Sequence, residues 1–499
     1  MTAITAAVEH AEGAQEGRSV LPNLLLLGWS LVAAVAGIMA MGNPSLWQVC
    51  LGAAASAIVT LPATQRGYTA YGPWTLVIAI TYVACGIRPM YVLTGDSPGR
   101  SVDELFLLGQ PPEFFLDNGL VYLLGIALFT AGYIFAGPEK EFKGSPLRIL
   151  SKPVLGPSTP VVVLLCALIG LAALYMYVSA AGGVNLSDFS SKARSGGTEI
   201  SQDYESHGVA RSLTQFSVVA FWLHVAYSLR PGNKIRLLST EVVAGVLLFI
   251  LSCLFPIITN ARSDIAYTVF VALAIASLLK RPPKLIALLL VTVVGIGVIN
   301  FLTLSRGSST SEVELSDVLA VSVIEESVIY NRNFADLYNA SHIIANTPEV
   351  LPSANGSTIT GWLAAPIPRA LWPEKPLVNP GPIVGEYIYG NGRSGVPPGI
   401  VAEMWWNWQW PGIVVGTFVG GILVGLVSRL KNISSASTAW IALFGGGLLR
   451  FGAFALTSGI GGALFKSLEA SVYMFLAVSL CAIAAGAFRS GVHHGAAGS

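Results

Sequence analysis

Residues 159 to 182, TPVVVLLCALIGLAALYMYVSAAG, form a stretch of 24 residues without one charged side chain. A helix needs about 20 consecutive apolar residues to cross a hydrocarbon core about 30 Å thick. Similar runs recur along most of the 499 residues, of which 53% are hydrophobic and 11% charged. An average soluble domain has about 25% charged residues. The sequence therefore predicts an all-α polytopic membrane protein.

We place about twelve membrane-spanning helices along the chain. Their predicted bounds are 21–41, 45–61, 71–93, 113–137, 159–182, 209–229, 237–259, 264–279, 285–304, 398–427, 437–457 and 464–488. This divides the chain into a cytoplasmic tail (1–20), spans 1–9 (21–304), an extracytoplasmic loop with helices (305–397), spans 10–12 (398–488) and a second cytoplasmic tail (489–499).

The orientation follows from the basic connections between spans. EKEFKGSPLRILSK (139–152), RPGNKIR (230–236), KRPPK (280–284) and SRLKN (428–432) all fall on one side of the predicted bundle. Because positive loops stay inside, that side is the cytoplasm and both termini are cytoplasmic. The first twenty residues lack a basic segment of the signal-peptide type, so we expect a retained tail.

The long loop from 305 to 397 then lies outside. Its SEVE sequence (311–314) has the form of a capping box and predicts a helix that runs to about 346. Further on, PIPRALWPEKPLVNPG (366–381) places Arg369, Glu374 and Lys375 among five prolines, which favour a stiff extended segment. We expect the loop to hold a fixed shape.

Most basic residues that enter predicted spans fall in the outer leaflet. A basic side chain at bilayer depth costs roughly 2.5 to 3.5 kcal/mol on insertion scales, so each one calls for a reason. A basic cavity open to the exterior is the simplest shared reason, and a lipid-linked phosphate is its natural ligand. The charged residues of this leaflet are Arg88, Arg211, Arg262, Arg306, Glu403, Arg450, Lys466 and Glu469.

Purely structural interpretations remain open for several of them. Arg88 can extend to the lipid headgroups, Arg262 can pair with Asp264, and Arg450 can pair with Glu469 or Glu403. In the outer loop, Arg332 and Asp336 are one helical turn apart, which is typical of a solvated pair. His342 is either a base of near-neutral pKa or an ordinary surface histidine.

Other classes of site find little support. The five cysteines fall inside predicted spans without metal-binding spacing, and the net charge of +1 gives no field suited to nucleic acid. The acidic pairs lack an accompanying histidine, so no metal site is predicted. Four tryptophans at 405, 406, 408 and 410 form either an interfacial belt or a surface for sugar rings.

Two stretches carry a family resemblance. NGSTITGWLAAPIPRALWPEKP (355–376) and PPGIVAEMWWNWQWPGIVVGTFVGG (397–421), with the outer turn TNARSD (259–264), resemble the Wzy-type polymerases of O-antigen and exopolysaccharide repeat units. The resemblance covers the architecture of most of the chain loosely and residues 355 to 420 more closely.

The resemblance implies a helical bundle of the GT-C-related kind and a metal-independent glycosyltransferase. Such an enzyme moves a glycan from one polyprenyl diphosphate carrier onto another lipid-linked repeat unit, at the outer face of the bacterial cytoplasmic membrane. It requires no cofactor and no nucleotide sugar. Its partners would be the donor and acceptor lipids, the membrane, and a chain-length regulator and flippase.

That reaction assigns roles to particular residues. Negative charge grows on the leaving diphosphate, and cations placed to meet it lower the barrier. We expect the clamp to consist of Arg262, Arg306 and Arg369, assisted by Lys375, Arg393 or Arg450. The acceptor hydroxyl needs a base, for which Glu403 is the first choice and His342 the second.

Two rival functions stay open. An O-antigen ligase-like glycan transferase would differ only in its acceptor. A secondary transporter also has about twelve spans with both ends inside, but its two halves are usually similar, and no repeat between the halves is evident here.

Overall fold

The computed structural model describes residues 20–65, 68–94, 110–140, 155–180, 208–230, 232–233, 239–259, 261–279, 335–364, 380–390, 395–432 and 437–495, with six isolated residues (295, 297, 300, 367, 371 and 372) between these ranges. All regular structure in these ranges is helical, which confirms the all-α class. Among the described residues, eight helices are long and apolar enough to cross a membrane. The count of twelve spans stays a prediction.

The first ten helices follow the predicted spans closely. Apolar runs of the required length form them, and the third span contains a π-helical segment, Tyr82–Ile87, between two α-helices. In chain order they are α1 (Val20–Ala40), α2 (Trp47–Thr60), α3 (Pro73–Thr81), α4 (Arg88–Thr94), α5 (Pro112–Phe135), α6 (Thr159–Ala180), α7 (Gly208–Leu213), α8 (Gln215–Ser228), α9 (Thr240–Ile258) and α10 (Arg262–Leu278). Predicted span 285–304 lies almost entirely outside the described residues.

The described part of the predicted outer loop contributes three helices to the bundle. They are α11 (Leu337–Asn346), α12 (Ser357–Ala364) and α13 (Gly381–Tyr389). Leu337, Ile343 and Val384 are fully buried and belong to the main hydrophobic core together with residues of α2, α5 and the C-terminal helices. This part of the chain therefore packs into the bundle. The SEVE capping box lies outside the described residues, and the described helix begins instead after Asp336, whose carboxylate accepts the backbone N–H of Asn339 at 2.9 Å.

The remaining helices contain two sharp reversals. They are α14 (Gly399–Pro411), α15 (Thr417–Arg429), α16 (Thr438–Leu443) and α17 (Phe451–Gly495), with π-helical segments at Gly412–Gly416 and Phe444–Leu448. Within α14 the helical path is broken at Gln409 (φ 51°, ψ −127°). Within α17 it is broken at Gly459 (φ 81°, ψ 176°).

At Gln409 the chain folds back on itself. A Cβ atom on Gly412 would lie 1.9 Å from the carbonyl oxygen of Met404, and one on Gly420 would lie 2.4 Å from Cδ1 of Ile400. In a straight helix, residues 400 and 420 would be about 30 Å apart. The predicted single span 398–427 was therefore wrong about this segment, because residues 399–408 form a short arm beside the longer helix that follows.

Gly459 makes a second hairpin of the same kind. A Cβ atom on Gly447 would lie 2.9 Å from Cα of Ser471, although a straight helix would separate these residues by about 36 Å. The two legs of this hairpin are thus antiparallel and in close contact. Glycine suits the reversal because residues that carry a Cβ atom rarely adopt a backbone φ near +80°.

Close glycine contacts fix the long helix after Gln409 against α5. A Cβ atom on Gly421 would lie 1.9 Å from the carbonyl oxygen of Phe129. Small residues at helix interfaces let backbones approach this closely in membranes. The contact sets the distance between α5 and α15.

We expect Gly421→Ala to lower the free energy of unfolding by about 1–3 kcal/mol, because the added methyl group must push two backbones apart. Gly28→Ala in α1 is the matched control, since a Cβ atom there meets no atom within 4 Å. Thermal unfolding in detergent measures both. Equal melting temperatures for the two variants would contradict the close packing of Gly421 against α5.

Candidate functional site

Three predicted site residues have described side chains: Arg450, Glu403 and His342. Arg306, Arg369, Lys375 and Arg393 lie outside the described residues, so their roles stay predictions. The backbone of Arg262 begins α10, but its side chain is outside the described set.

The Gly459 hairpin places two cations against one aromatic ring. Cζ of Arg450, on the first leg, lies 5.3 Å from the ring centroid of Phe454. Nζ of Lys466, on the second leg, lies 4.8 Å from the same centroid. Cζ of Arg450 also lies 5.1 Å from the Trp222 ring of α8. Aromatic faces attract cations, so the Phe454 and Trp222 rings stabilise the positive charges at this place.

Three further charged residues surround this pair. Arg450 interacts electrostatically with Asp264 in the first turn of α10 and with Glu469 on the second leg. Arg211 of α7 acts on both Lys466 and Glu469. The described cluster thus has three basic and two acidic residues, an excess of one positive charge (3 − 2). We call Arg211, Asp264, Arg450, Lys466 and Glu469 the charged cluster.

Glu469 is held by a hydroxyl network. Ser212 of α7 donates a hydrogen bond to its Oε1, and the Ser212 hydroxyl lies 2.7 Å from the hydroxyl of Tyr473. Lys466, Glu469 and Tyr473 follow one another at helical spacing, so they share one face of the second leg. This network fixes the direction of the carboxylate.

The charged cluster extends from the interior to the surface of the bundle. Arg450 is 6% exposed, Glu469 and Ser212 are half-buried, and Lys466 and Arg211 are exposed. Leu468 and Val472 beside Glu469 have exposed side chains, which is typical of a helix face turned to lipid. The cluster is therefore accessible from the side of the bundle.

A small polar cavity of about 20 Å³ adjoins Arg450, with Asp264 and Thr268 of α10 also in its wall. Its hydroxyl groups already donate to backbone carbonyls, as Ser252 does to Phe249 at 2.7 Å and Thr268 to Asp264 at 2.8 Å. Their oxygens can therefore only accept hydrogen bonds from an occupant. The volume and chemistry suit one water molecule beside Arg450.

Glu403 lies apart from the charged cluster, on the short arm of α14. Its side chain is 0% exposed, and its Oε2 accepts the backbone N–H of Ile460 at 2.6 Å, just after the Gly459 reversal. A Cβ atom on Gly459 would lie 2.3 Å from that carboxylate. Glu403 is not among the charged groups that act on Arg450, so the predicted pairing of these two residues is not seen. It caps the second leg of the hairpin.

His342 of α11 is packed among aromatic rings. Its ring centroid lies 4.9 Å from that of Phe114 and 6.4 Å from that of Tyr389. Burial lowers the pKa of His342 to about 3. A base works best when its pKa lies near the working pH, so a neutral imidazole of this kind is a weak base for the reaction.

A buried ion pair joins the third span to the outer segment. NH1 of Arg88 donates to Oδ2 of Asp336, and the two side chains are 1% and 0% exposed. The prediction that Arg88 reaches headgroups was wrong, and Asp336 pairs with Arg88 in the interior. Sequence reasoning missed this pair because 248 positions separate its members.

Among the described residues, no group of three or more metal-ligating side chains comes together. Comparisons with protein-family models, with curated proteins and with solved structures found no match for this chain.

Proposed function

We propose that this protein is a glycan polymerase of the bacterial cytoplasmic membrane. It transfers a polyprenyl-diphosphate-linked oligosaccharide onto another lipid-linked repeat unit at the outer face. The proposal takes up the resemblance of residues 355–376 and 397–421 to the Wzy-type polymerases. In this proposal the chain has about twelve spans and both termini in the cytoplasm.

The observation that carries the proposal is the placement of Arg450 and Lys466 against the same Phe454 ring. A buried charge inside a membrane protein, such as that of Arg450, is costly and marks a candidate functional site. Guanidinium and ammonium groups bind phosphate, and they stabilise the charge that grows on a leaving diphosphate. The exposed side of the charged cluster suits a substrate that arrives within the bilayer. In the proposed clamp, Arg450 acts with Arg262, Arg306, Arg369, Lys375 and Arg393.

A secondary transporter is the second candidate. The two broken helices favour it, because discontinuous helices form the binding sites of many transporters. A ligase-like glycan transferase would use the same clamp with a different lipid acceptor.

A transfer assay with purified protein separates these functions. The protein is reconstituted with a lipid-linked repeat unit, without metal or nucleotide, and the glycan is separated on a gel. A ladder of repeat units supports the polymerase. Transfer only to a different added lipid supports the ligase. The transporter is supported if the folded protein leaves the glycan unchanged but carries it, or another solute, across the membrane of proteoliposomes.

A further inference from the structure

The clamp needs a base beside it, and the proposed reaction defines where that base must be. The acceptor hydroxyl attacks the anomeric carbon while the bond from that carbon to the diphosphate oxygen breaks. The new bond forms between the hydroxyl oxygen and the anomeric carbon, and the leaving diphosphate keeps the electron pair. The hydroxyl proton must pass to a group within hydrogen-bond reach of the acceptor.

None of the cations of the charged cluster acts on either predicted base. Glu403 is fully buried and holds the backbone N–H of Ile460. His342 is packed between Phe114 and Tyr389, and its charged form is disfavoured there. Neither side chain belongs to the charged cluster.

Glu469 is a carboxylate within the charged cluster. Its carboxylate is half-buried and acts on Lys466, Arg211 and Arg450, so it lies among the cations of the cluster. Ser212 orients one of its oxygens, and the exposed Leu468 and Val472 mark the adjacent helix face as open to lipid. A carboxylate so placed lies next to the cations that would hold the leaving diphosphate.

The other carboxylate of the cluster is less well placed. Asp264 lines the small cavity beside Arg450, which has room for about one water molecule. A sugar hydroxyl cannot enter that volume with its ring. Asp264 is therefore suited to hold Arg450 and its water.

We propose that Glu469 is the general base that accepts the proton of the acceptor hydroxyl. The proposal rests on the polymerase function and specifies its catalytic residue. A counter-ion role for Glu469 makes a different prediction. Removing a mere counter-ion would change how the carrier binds and leave kcat near that of the wild type, whereas removing the base would lower the rate of transfer from the bound state whether or not binding changes.

The test compares Glu469→Gln with the wild type in the transfer assay, at saturating and limiting lipid-linked substrate. Glutamine can still accept the hydrogen bond from Ser212, so the fold is expected to hold. Glu113→Gln is the control, since Glu113 is an exposed glutamate in the first turn of α5. Glu403→Gln tests the rival base. Binding of polyprenyl diphosphate and the melting temperature are measured for each variant.

We expect Glu469→Gln to lower kcat by about 10²–10⁴-fold, with KM unchanged or lower because a negative charge near the diphosphate is gone. Glu113→Gln should behave as the wild type. A Glu469→Gln variant with a kcat within a few-fold of the wild type would overturn the proposal. A large loss of kcat in Glu403→Gln but not in Glu469→Gln would also overturn it. So would weaker carrier binding and a lower melting temperature in Glu469→Gln without a separate loss of kcat. If the wild type forms no ladder, the polymerase function fails and this assignment fails with it.

Discussion

Arg88→Met is expected to lower the free energy of unfolding by about 3–5 kcal/mol, the largest change in stability that we predict. The substitution leaves the Asp336 carboxylate buried without its cation, in a position that is 0% exposed. Asp336 also caps α11 through the backbone N–H of Asn339. The pair therefore joins the third span to a segment of the predicted outer loop. Thermal or denaturant unfolding in detergent measures the effect.

The double variant Arg88→Met with Asp336→Asn tests the cause. Asparagine caps helices about as well as aspartate, and it brings no charge that needs a partner. Replacing a buried ion pair by neutral groups of similar size is often neutral for stability. We expect the double variant to regain most of the stability that the single variant loses. A double variant as unstable as the single one would show that the charge pairing is not the cause.

Arg450→Gln is expected to lower the rate of glycan transfer by about 10²–10³-fold, the cost of removing one preorganised donor from a developing negative charge. Glutamine keeps some hydrogen-bonding capacity but loses the charge between Trp222 and Phe454. The gel assay with the lipid-linked repeat unit measures the rate.

Arg230→Gln is the matched control for this prediction. Cζ of Arg230 lies 3.8 Å from the Tyr227 ring, so this arginine also rests on an aromatic face. It belongs to the basic connection RPGNKIR, which we predict to be cytoplasmic. The control should retain wild-type transfer. Equal losses in both variants would show that the effect comes from general disturbance of the bundle.

The position and length of the apolar runs predicted most of the helices. A run such as 159–182 has no charge to keep it in water, and its length matches the bilayer, so its helical state follows. The observed helix Thr159–Ala180 differs from that prediction only at its C-terminal end. The same reasoning gave α1, α5 and α9 to within a few residues.

Hydropathy predicted one of the two reversals. The sequence around Gln409 stays apolar and aromatic through the break, and a positive φ at a residue other than glycine is uncommon. At Gly459 the observed reversal falls in the gap between the predicted spans 437–457 and 464–488. The contact of Met404 with Gly412 reveals the hairpin at Gln409, and the contact of Gly447 with Ser471 agrees with the predicted turn at Gly459.

The candidate site was predictable in part. Counting along the predicted spans 437–457 and 464–488 puts Arg450, Lys466 and Glu469 in one predicted leaflet, but the packing of Arg450 and Lys466 on Phe454 was not predicted. The aromatic partners Trp222 and Phe454 carry no signal in a sequence already rich in aromatic residues. Long-range pairing is set by tertiary packing, which one sequence does not display.

The central claim is that the charged cluster binds a diphosphate carrier. Its most direct test is equilibrium binding of polyprenyl diphosphate and polyprenyl monophosphate to the purified protein in lipid nanodiscs, for the wild type, Arg450→Gln and Arg230→Gln. We predict that the wild type and Arg230→Gln prefer the diphosphate by at least about tenfold, or 1.4 kcal/mol, and that Arg450→Gln loses this preference. Equal binding of the two lipids by the wild type, or an unchanged preference in Arg450→Gln, would contradict the account.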